Sequence, residues 1–377
     1  MKPHHIADNA LTLLRCGEEY FPQLLADIAV AQHAIYLESY IFAPDSTGRL
    51  VWQALVQAAQ RGVEVRVLLD GFGAVDFPLT WRAELQAVGG EMRWFRRMRW
   101  WHHQHRLHRL HRKLVAIDHE VAFVGGINIL DDVPPGYAAP RLDFAVRIQG
   151  SLAREVRFGM RRLWRRVVWQ ALRAARHLRR VPPYRPRPER PLALLLRDNL
   201  RHRRDIERAY LYALLHAQSE ILLANAYFLP GRTFRRVLKQ AARRGVRVVL
   251  LLQGRVEYRL QHYATHALYD ELLAAGVEIY EYQASYLHAK VAVVDGHWAT
   301  VGSSNIDPFS LLLAREANVL VQDEGFAAEL RRSLQTALQQ SRPVSAGQPK
   351  PLWARWRARA SYALLRLVMG IFGFGRF

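Results

Sequence analysis

Two eighteen-residue stretches hold the side chains most able to do chemistry: HRKLVAIDHEVAFVGGIN at 111–128 returns as HAKVAVVDGHWATVGSSN at 288–305. His111, Lys113, Asp118, Gly125 and Asn128 keep register with His288, Lys290, Asp295, Gly302 and Asn305. An imidazole can attack an electrophile or carry a proton near neutral pH. In an extended chain residues i and i+2 share a face, so each histidine gains a fixed cation beside it. The Gly-Gly or Gly-Ser turn that follows allows close backbone approach, and Asn128, Ser303 and Asn305 add polar groups suited to phosphate oxygens. One copy alone would be half a site. Facing each other across a pseudo-twofold axis, the copies would bring two imidazoles and two ammonium groups to one phosphodiester, with a nucleophile on one side and a proton donor on the other. Asp118 and Asp295 complete the catalytic motif but fall on the opposite strand parity, which assigns them to structural support.

The histidines ahead of the first copy invite a different reading. His102, His103, His105 and His108 crowd before His111. Dense arginine among them opposes a divalent cation, and no carboxylate accompanies them, so a metal site is not expected and no cofactor is needed. Residues 94–110 form a longer approach than the one to His288 and interleave Trp with Arg. That mixture suits a membrane headgroup layer, a nucleic-acid backbone or a solvated loop.

The elements that must position these groups also repeat. LVQAAQRGVEVRVLLDG at 55–71 returns as LKQAARRGVRVVLLLQG at 238–254 with 11 of 17 positions identical and no gap. Each copy reads as the end of a helix, stopped at Arg-Gly, followed by a buried β-branched strand. AIYLESYIFAPDSTG (34–48) matches EILLANAYFLPG (220–231), and GGEMRWF (89–95) matches GVEIYEY (276–282). The alternation predicts an α/β fold of two duplicated halves, each a mixed or parallel sheet flanked by helices. We expect a first half over 1–180, a Pro-rich linker at 181–191, a second half over 192–345 and an amphipathic tail over 346–377. On a helical projection Trp353, Trp356, Leu364, Leu367, Ile371 and Phe374 share one side of the tail, and Arg355, Arg359 and Arg366 the other. Such a helix suits a lipid interface or the protein's own core.

Composition narrows the partners. The 377 residues carry 54 Lys plus Arg against 33 acidic residues, a formal charge of +21, so a polyanion is expected, either nucleic acid or an anionic lipid surface. The single cysteine, Cys16, leaves no internal disulfide and fits a reducing compartment. Charged residues interrupt the N-terminus, so no signal peptide is expected, and Arg366 and Arg376 interrupt the apolar stretch at 360–377, so no spanning helix is expected either.

The paired HxKxxxxD pattern, each copy followed by GGxN or GSxN, resembles the signature of the phospholipase D superfamily. The surroundings RDNLRHRRDIERAYL, LANAYFLPG and HWATVGSSNIDPFSLLLAREANV look closest to the short, type B class of bacterial cardiolipin synthases, which lack the N-terminal membrane spans of longer relatives. The resemblance implies that a carboxylate at Asp143 and another at Glu316 each hold the far ring nitrogen of a histidine. It also implies that a phosphatidyl group passes between two phosphatidylglycerol molecules, through a phosphatidyl-histidine, to give cardiolipin and glycerol. The enzyme would then sit peripherally on the cytoplasmic face of a bacterial inner membrane, with anionic phospholipid as partner and neither nucleic acid nor a protein partner expected. A phospholipase D-type hydrolase or phosphodiester nuclease on the same scaffold is the alternative, and a non-catalytic basic binding protein is the alternative of another class.

Overall fold

The computed structural model describes residues 2–96, 108–171, 191–198, 202–307, 310, 313–345 and 351–371. In the first half the order is β1 (His4–Ile6), β2 (Asn9–Arg15), α1 (Cys16–Ala29), β3 (Ala34–Ser39), α2 (Ser46–Gln60), β4 (Glu64–Asp70), α3 (Leu79–Ala87), β5 (Glu91–Phe95), β6 (Lys113–Ile117), β7 (Val121–Gly125), β8 (Phe144–Gly150) and α4 (Ser151–Ala171). The second half runs β9 (Leu192–Arg197), α5 (Asp205–His216), β10 (Glu220–Asn225), α6 (Arg232–Arg243), β11 (Arg247–Gln253), α7 (Arg259–His266), α8 (Tyr269–Leu273), β12 (Glu278–Tyr282), β13 (Lys290–Val294), β14 (Trp298–Gly302), β15 (Glu316–Gln322), α9 (Glu324–Gln339) and β16 (Ser341–Val344), followed by α10 (Leu352–Ile371).

Each half forms an eight-stranded sheet, in the orders β1-β2-β8-β7-β6-β3-β4-β5 and β16-β12-β11-β10-β13-β14-β15-β9. Strip the edge strands β1 and β16 and the remaining seven match in the same spatial order. Both sheets are mixed: β3, β4 and β5 run parallel, as do β10, β11 and β12, while the other pairings are antiparallel. The expected α/β duplication is thus present, and the helix-to-strand repeat lies on the parallel side of each sheet. Its apolar strands are covered on both faces, as a parallel segment requires.

Three apolar clusters show how the layers stack. One packs α1, α2 and α3 residues such as Trp52 and Leu55 on the outer face of the first sheet, and another packs α5, α6 and α8 residues such as Tyr210, Leu238 and Leu272 on the outer face of the second. The third joins the inner faces: Val124, Val146, Val291, Val301 and Val319 meet α4 and α9 through Val156, Phe326 and Leu330. The halves therefore share one core. Fully burying each such side chain stabilises the fold by about 1.5–3 kcal/mol, so neither half presents a solvated inner face.

Asp118 and Asp295 explain why an acid belongs at those positions. Both adopt φ near +50°, the left-handed turn between the paired strands that Asp tolerates better than most residues. The Asp118 carboxylate accepts the backbone N–H groups of Gln32, His33 and Ala34 at 2.7–3.0 Å. Asp295 does the same for Gln218, Ser219 and Glu220 at 2.8–3.0 Å. These bonds to the charged form hold both carboxyls below the usual carboxylate range. The aspartates lock each lysine-bearing strand to the start of its neighbour, away from the histidines.

The tail helix satisfies two requirements at once. Ala358 and Leu365 are buried where α10 lies along α7, and the Arg357 guanidinium stacks on Tyr263 at 3.7 Å and on Trp353 at 4.7 Å. Trp353, Trp356, Leu364 and Leu367 are 49–73% exposed, on the side of the helix away from that docking line. The expected apolar stripe faces outward while a second line holds the helix down. Phe374 lies outside the described residues. So do residues 97–107 of the Trp-Arg approach and 181–190 of the Pro-rich linker. Among the described residues, no helix is long and apolar enough to cross a membrane.

Candidate active site

The two motifs meet, and they meet by exchange. His111 and His288 lie two residues ahead of the strands that begin at Lys113 and Lys290, rather than inside those strands. Each is instead held by backbone pairing with the opposite half. The His111 N–H donates to Arg315 O at 3.0 Å and Arg315 donates to Arg109 O at 2.8 Å, while His288 donates to Leu142 O at 2.9 Å and Leu142 donates to Tyr286 O at 2.9 Å. Leu110 bridges Arg315, and Leu142 bridges Leu287, in parallel. The residue after each acceptor is the carboxylate. His111 Nδ1 accordingly sits 3.0 Å from Glu316, and His288 Nδ1 lies 2.6 Å from Asp143. The order of the sequence suggests a carboxylate for each histidine, and tertiary structure pairs them across the interface.

Such a pair fixes the tautomer: Nδ1–H donates to the carboxylate and Nε2 is left with its lone pair. Both carboxylates are themselves held. The Ser303 hydroxyl donates to Glu316 Oε2 at 2.5 Å and accepts the Ala317 N–H at 3.0 Å, while Asp143 accepts the Phe144 N–H at 2.8 Å. Gly126 stands where the second half has Ser303. A Cβ there would lie 2.3 Å from Asp143 Oδ1, so the glycine makes room for the carboxylate.

Lys113 and Lys290 are buried beside the histidines, and the Nζ of each donates back to the carbonyl of its own His111 or His288, at 2.6 Å for Lys113. Lys290 also approaches Asp143 at 3.7 Å. Burial and the nearby Lys290 push the Lys113 ammonium down to about 7. Burial likewise lowers Lys290. His288 falls to about 3 through burial and the charge on Lys290, against the pull of Asp143, and His111 is lowered mainly by burial, against Glu316. Each histidine feels the lysine of the other half. These four groups form one electrostatic unit, and an anion beside them would favour their charged forms.

Asn128 Oδ1 accepts the Ile41 N–H at 3.2 Å, leaving Nδ2 as its donor group. Asn305 is buried, with Nδ2 3.5 Å from Ser310 and Oδ1 unpartnered among the described residues. Ser303 touches Glu316, so its role here is to orient a carboxylate.

Sequence reasoning passed over three groups. Asp70 Oδ2 accepts the Leu110 N–H at 2.7 Å, and Gln253 Oε1 accepts the Leu287 N–H at 3.0 Å, pinning the residue before each histidine. The signal was present, since both close the 17-residue repeat just before its glycine, and acid and amide share only an acceptor oxygen. Tyr40 packs at a tilt against His111 with centroids 4.9 Å apart, and nothing in the repeat points to it, because Ala226 takes the matching place.

The family described as "Cardiolipin synthase, PLD-like domain" matches residues 24–132 and 210–338, one match per half. Cardiolipin synthase B of Escherichia coli is 40% identical over 339 residues, covering 86% of this chain and 79% of that protein. The major cardiolipin synthase of Bacillus subtilis is 29% identical over 377 residues, covering 95% and 75%. Among solved structures, the phosphatidylserine synthase of Haemophilus influenzae shares the fold with a TM-score of 0.70 at 13% identity, over 97% of this chain and 95% of that one. The polyphosphate kinase of Porphyromonas gingivalis shares it with a TM-score of 0.61 at 14% identity, over 96% and 53%. With one match in each half and the paired histidines joined across their interface, the chain belongs to the cardiolipin synthase family of phospholipase D-like proteins.

Proposed function

We propose that this protein transfers a phosphatidyl group from one phosphatidylglycerol to a second, giving cardiolipin and glycerol. The observation that supports the reading is the crossed pair of histidine–carboxylate contacts, an arrangement suited to a nucleophile and a proton carrier acting on one phosphodiester. His111 Nε2 attacks phosphorus while the leaving glycerol oxygen takes a proton from His288. His288 starts neutral. Burial and the charge on Lys290 hold it so; an anionic phosphodiester beside Lys113 and Lys290 offsets both, and His288 can then carry the proton. In the second step His288 accepts the proton of the incoming glycerol hydroxyl, and that oxygen displaces His111 from phosphorus. Lys113, Lys290, Asn128 and Asn305 face the charge that builds on the non-bridging oxygens. One phosphodiester replaces another, so the exchange needs no nucleotide.

A membrane surface as the site of action is supported by the outward stripe of Trp353, Trp356, Leu364 and Leu367 together with the charge of +21. We place the enzyme peripherally on the cytoplasmic face of a bacterial inner membrane. The competing nuclease reading shares the scaffold and the charge but leaves that stripe without a use. Purified protein offered phosphatidylglycerol vesicles and, separately, single-stranded DNA decides between them: glycerol release with cardiolipin formed is expected, and strand cleavage without glycerol release would overturn the lipid reading. Removing 352–377 should weaken vesicle binding while turnover of a short soluble phosphodiester persists; unchanged vesicle binding would refute the role of the tail.

A further inference from the structure

Behind the catalytic pairs lies a cavity of about 510 Å³ that none of the catalytic histidines, lysines or carboxylates lines. Its walls come from α4, β9 and the residues adjoining two catalytic groups, Arg112 next to His111 and Arg315 next to Glu316. The alternation of an extended chain turns these arginines away from the reacting face. Six arginines line the cavity against two carboxylates, Glu155 and Asp198. Arg112 is buried and paired with Glu38, Nη2 donating to Oε1 at 2.8 Å.

Arg315 is different. Its guanidinium makes no ion pair within 4 Å among the described residues and rests on the Phe95 ring at 5.6 Å. Burial and the like charges of Arg112 and Arg166 press it down to about 10, against Asp198 and Glu38. A half-buried cation among cations is a costly arrangement unless an anion joins it.

Among the described residues, the other half carries none of these charges at the matching positions. The positions matching Arg112, Arg315 and Glu38 are Ala289, Leu142 and Ala224, all packed in the shared core. Among the described residues, these three charges belong to this side alone. Part of its wall is apolar, with Leu163 and Leu196 beside Phe158, which is 57% exposed. Gly159 also lines it without a side chain, and a Cβ there would meet Leu196 Cδ1 at 2.9 Å.

We infer that this cavity is a second, non-reacting site for the phosphate of an anionic phospholipid, with an acyl chain along Phe158, Leu163 and Leu196. Guanidinium groups suit the phosphate, and the apolar wall distinguishes a lipid from a free anion. The site goes beyond the proposed reaction, because occupancy requires no turnover.

The test uses phosphatidylglycerol carrying a photoreactive acyl chain, diluted in phosphatidylcholine vesicles, with labelled peptides identified by mass spectrometry. Residues 151–166 should be labelled, and Arg154→Ala with Arg166→Ala should reduce that labelling about tenfold, the loss expected for charge-assisted contacts, while glycerol release continues. Phe158→Ser, at an exposed position, tests the apolar wall without disturbing the core and should also reduce labelling. His288→Ala should lose turnover and keep the label, so the fate of the cavity is read separately from that of the reaction. Labelling that survives both kinds of cavity variant, or that is equal with a phosphatidylcholine probe, would overturn the inference. Displacement by inorganic phosphate as effective as that by unlabelled phosphatidylglycerol would overturn the lipid assignment in favour of a free anion.

Discussion

The first half and the second carry the same seven strands, the same histidine and lysine, and the same aspartate-locked turn, yet the groups supporting them differ. Asp70 in one is Gln253 in the other, the Gly126–Asp143 pair becomes Ser303–Glu316, and the buried Glu38–Arg112 ion pair becomes two alanines. Where a position needs a property, the halves agree on the property alone: an acceptor oxygen for the N–H before each histidine, a carboxylate for each ring. Where a position carries the imidazole or the ammonium group, they agree on the residue. The comparison separates chemistry, which demands an atom, from support, which demands a geometry.

The largest effects should come from breaking the crossed pairing. Alanine at His111 or His288 should each lower turnover by roughly four orders of magnitude, the scale seen when one member of a concerted catalytic set is removed. With an activated donor, His288→Ala should accumulate a lipid adduct on residue 111 and His111→Ala should not; an adduct on residue 288 would reverse the roles. In the His288→Ala background, Glu316→Gln should slow adduct formation about 10–100-fold because it unseats the His111 ring, whereas Asp143→Asn should leave it unchanged. Pairing within one half would give the opposite result, so rapid mixing and mass spectrometry distinguish the two arrangements.

Next in size are the lysines. Lys113→Ala and Lys290→Ala should each cost about 10²–10³ in turnover, and the double variant far less than their product, because both stabilise one phosphoryl charge. Single variants retaining half the activity would instead mean two independent sites. Burial also makes these cations a burden on folding. Lys113 titrates near 7 in the fold and at its ordinary 10.5 when unfolded, so the unfolded chain binds more protons over that interval and stability rises as pH increases from 7 to 10.5. His288, at about 3 in the fold against 6.5, costs stability as pH falls through 6.5 toward 3. Lys113→Met should therefore stabilise the inactive protein by about 1–3 kcal/mol at pH 7, and His288→Asn should flatten the acid side of the stability profile. Denaturant titrations across pH measure both.

A last test probes the divergence itself. Glu38→Ala strands the Arg112 charge and should cost about 3–5 kcal/mol, while Glu38→Ala with Arg112→Ala, which imitates the second half, should cost much less. Equal losses in the single and double variants would mean that the pair holds the first half together by mutual attraction.

Much of this was legible in the linear chain. Duplication in register exposed the fold class and the mixed sheets because each copy had to bury the same faces, and it exposed His111, Lys113, His288 and Lys290 because both copies kept them. The opposite strand parity of Asp118 and Asp295 separated them from the histidines. Tyr40 was hidden because it has no counterpart, and the docking line of α10 was hidden because Ala358 and Leu365 signal little beside two tryptophans.

The sequence by itself determined that there are two half-sites and which atoms each contributes, since spacing along a strand is a local property. Only the tertiary structure decided that Glu316 serves His111 and Asp143 serves His288. A carboxylate hundreds of atoms away along the chain is brought within 3.0 Å by a shared core and a few bridging backbone bonds, and no local spacing encodes which half supplies it. The charged cavity beside Arg315 has the same origin, because it exists only where one half meets the other and their packing ceases to match.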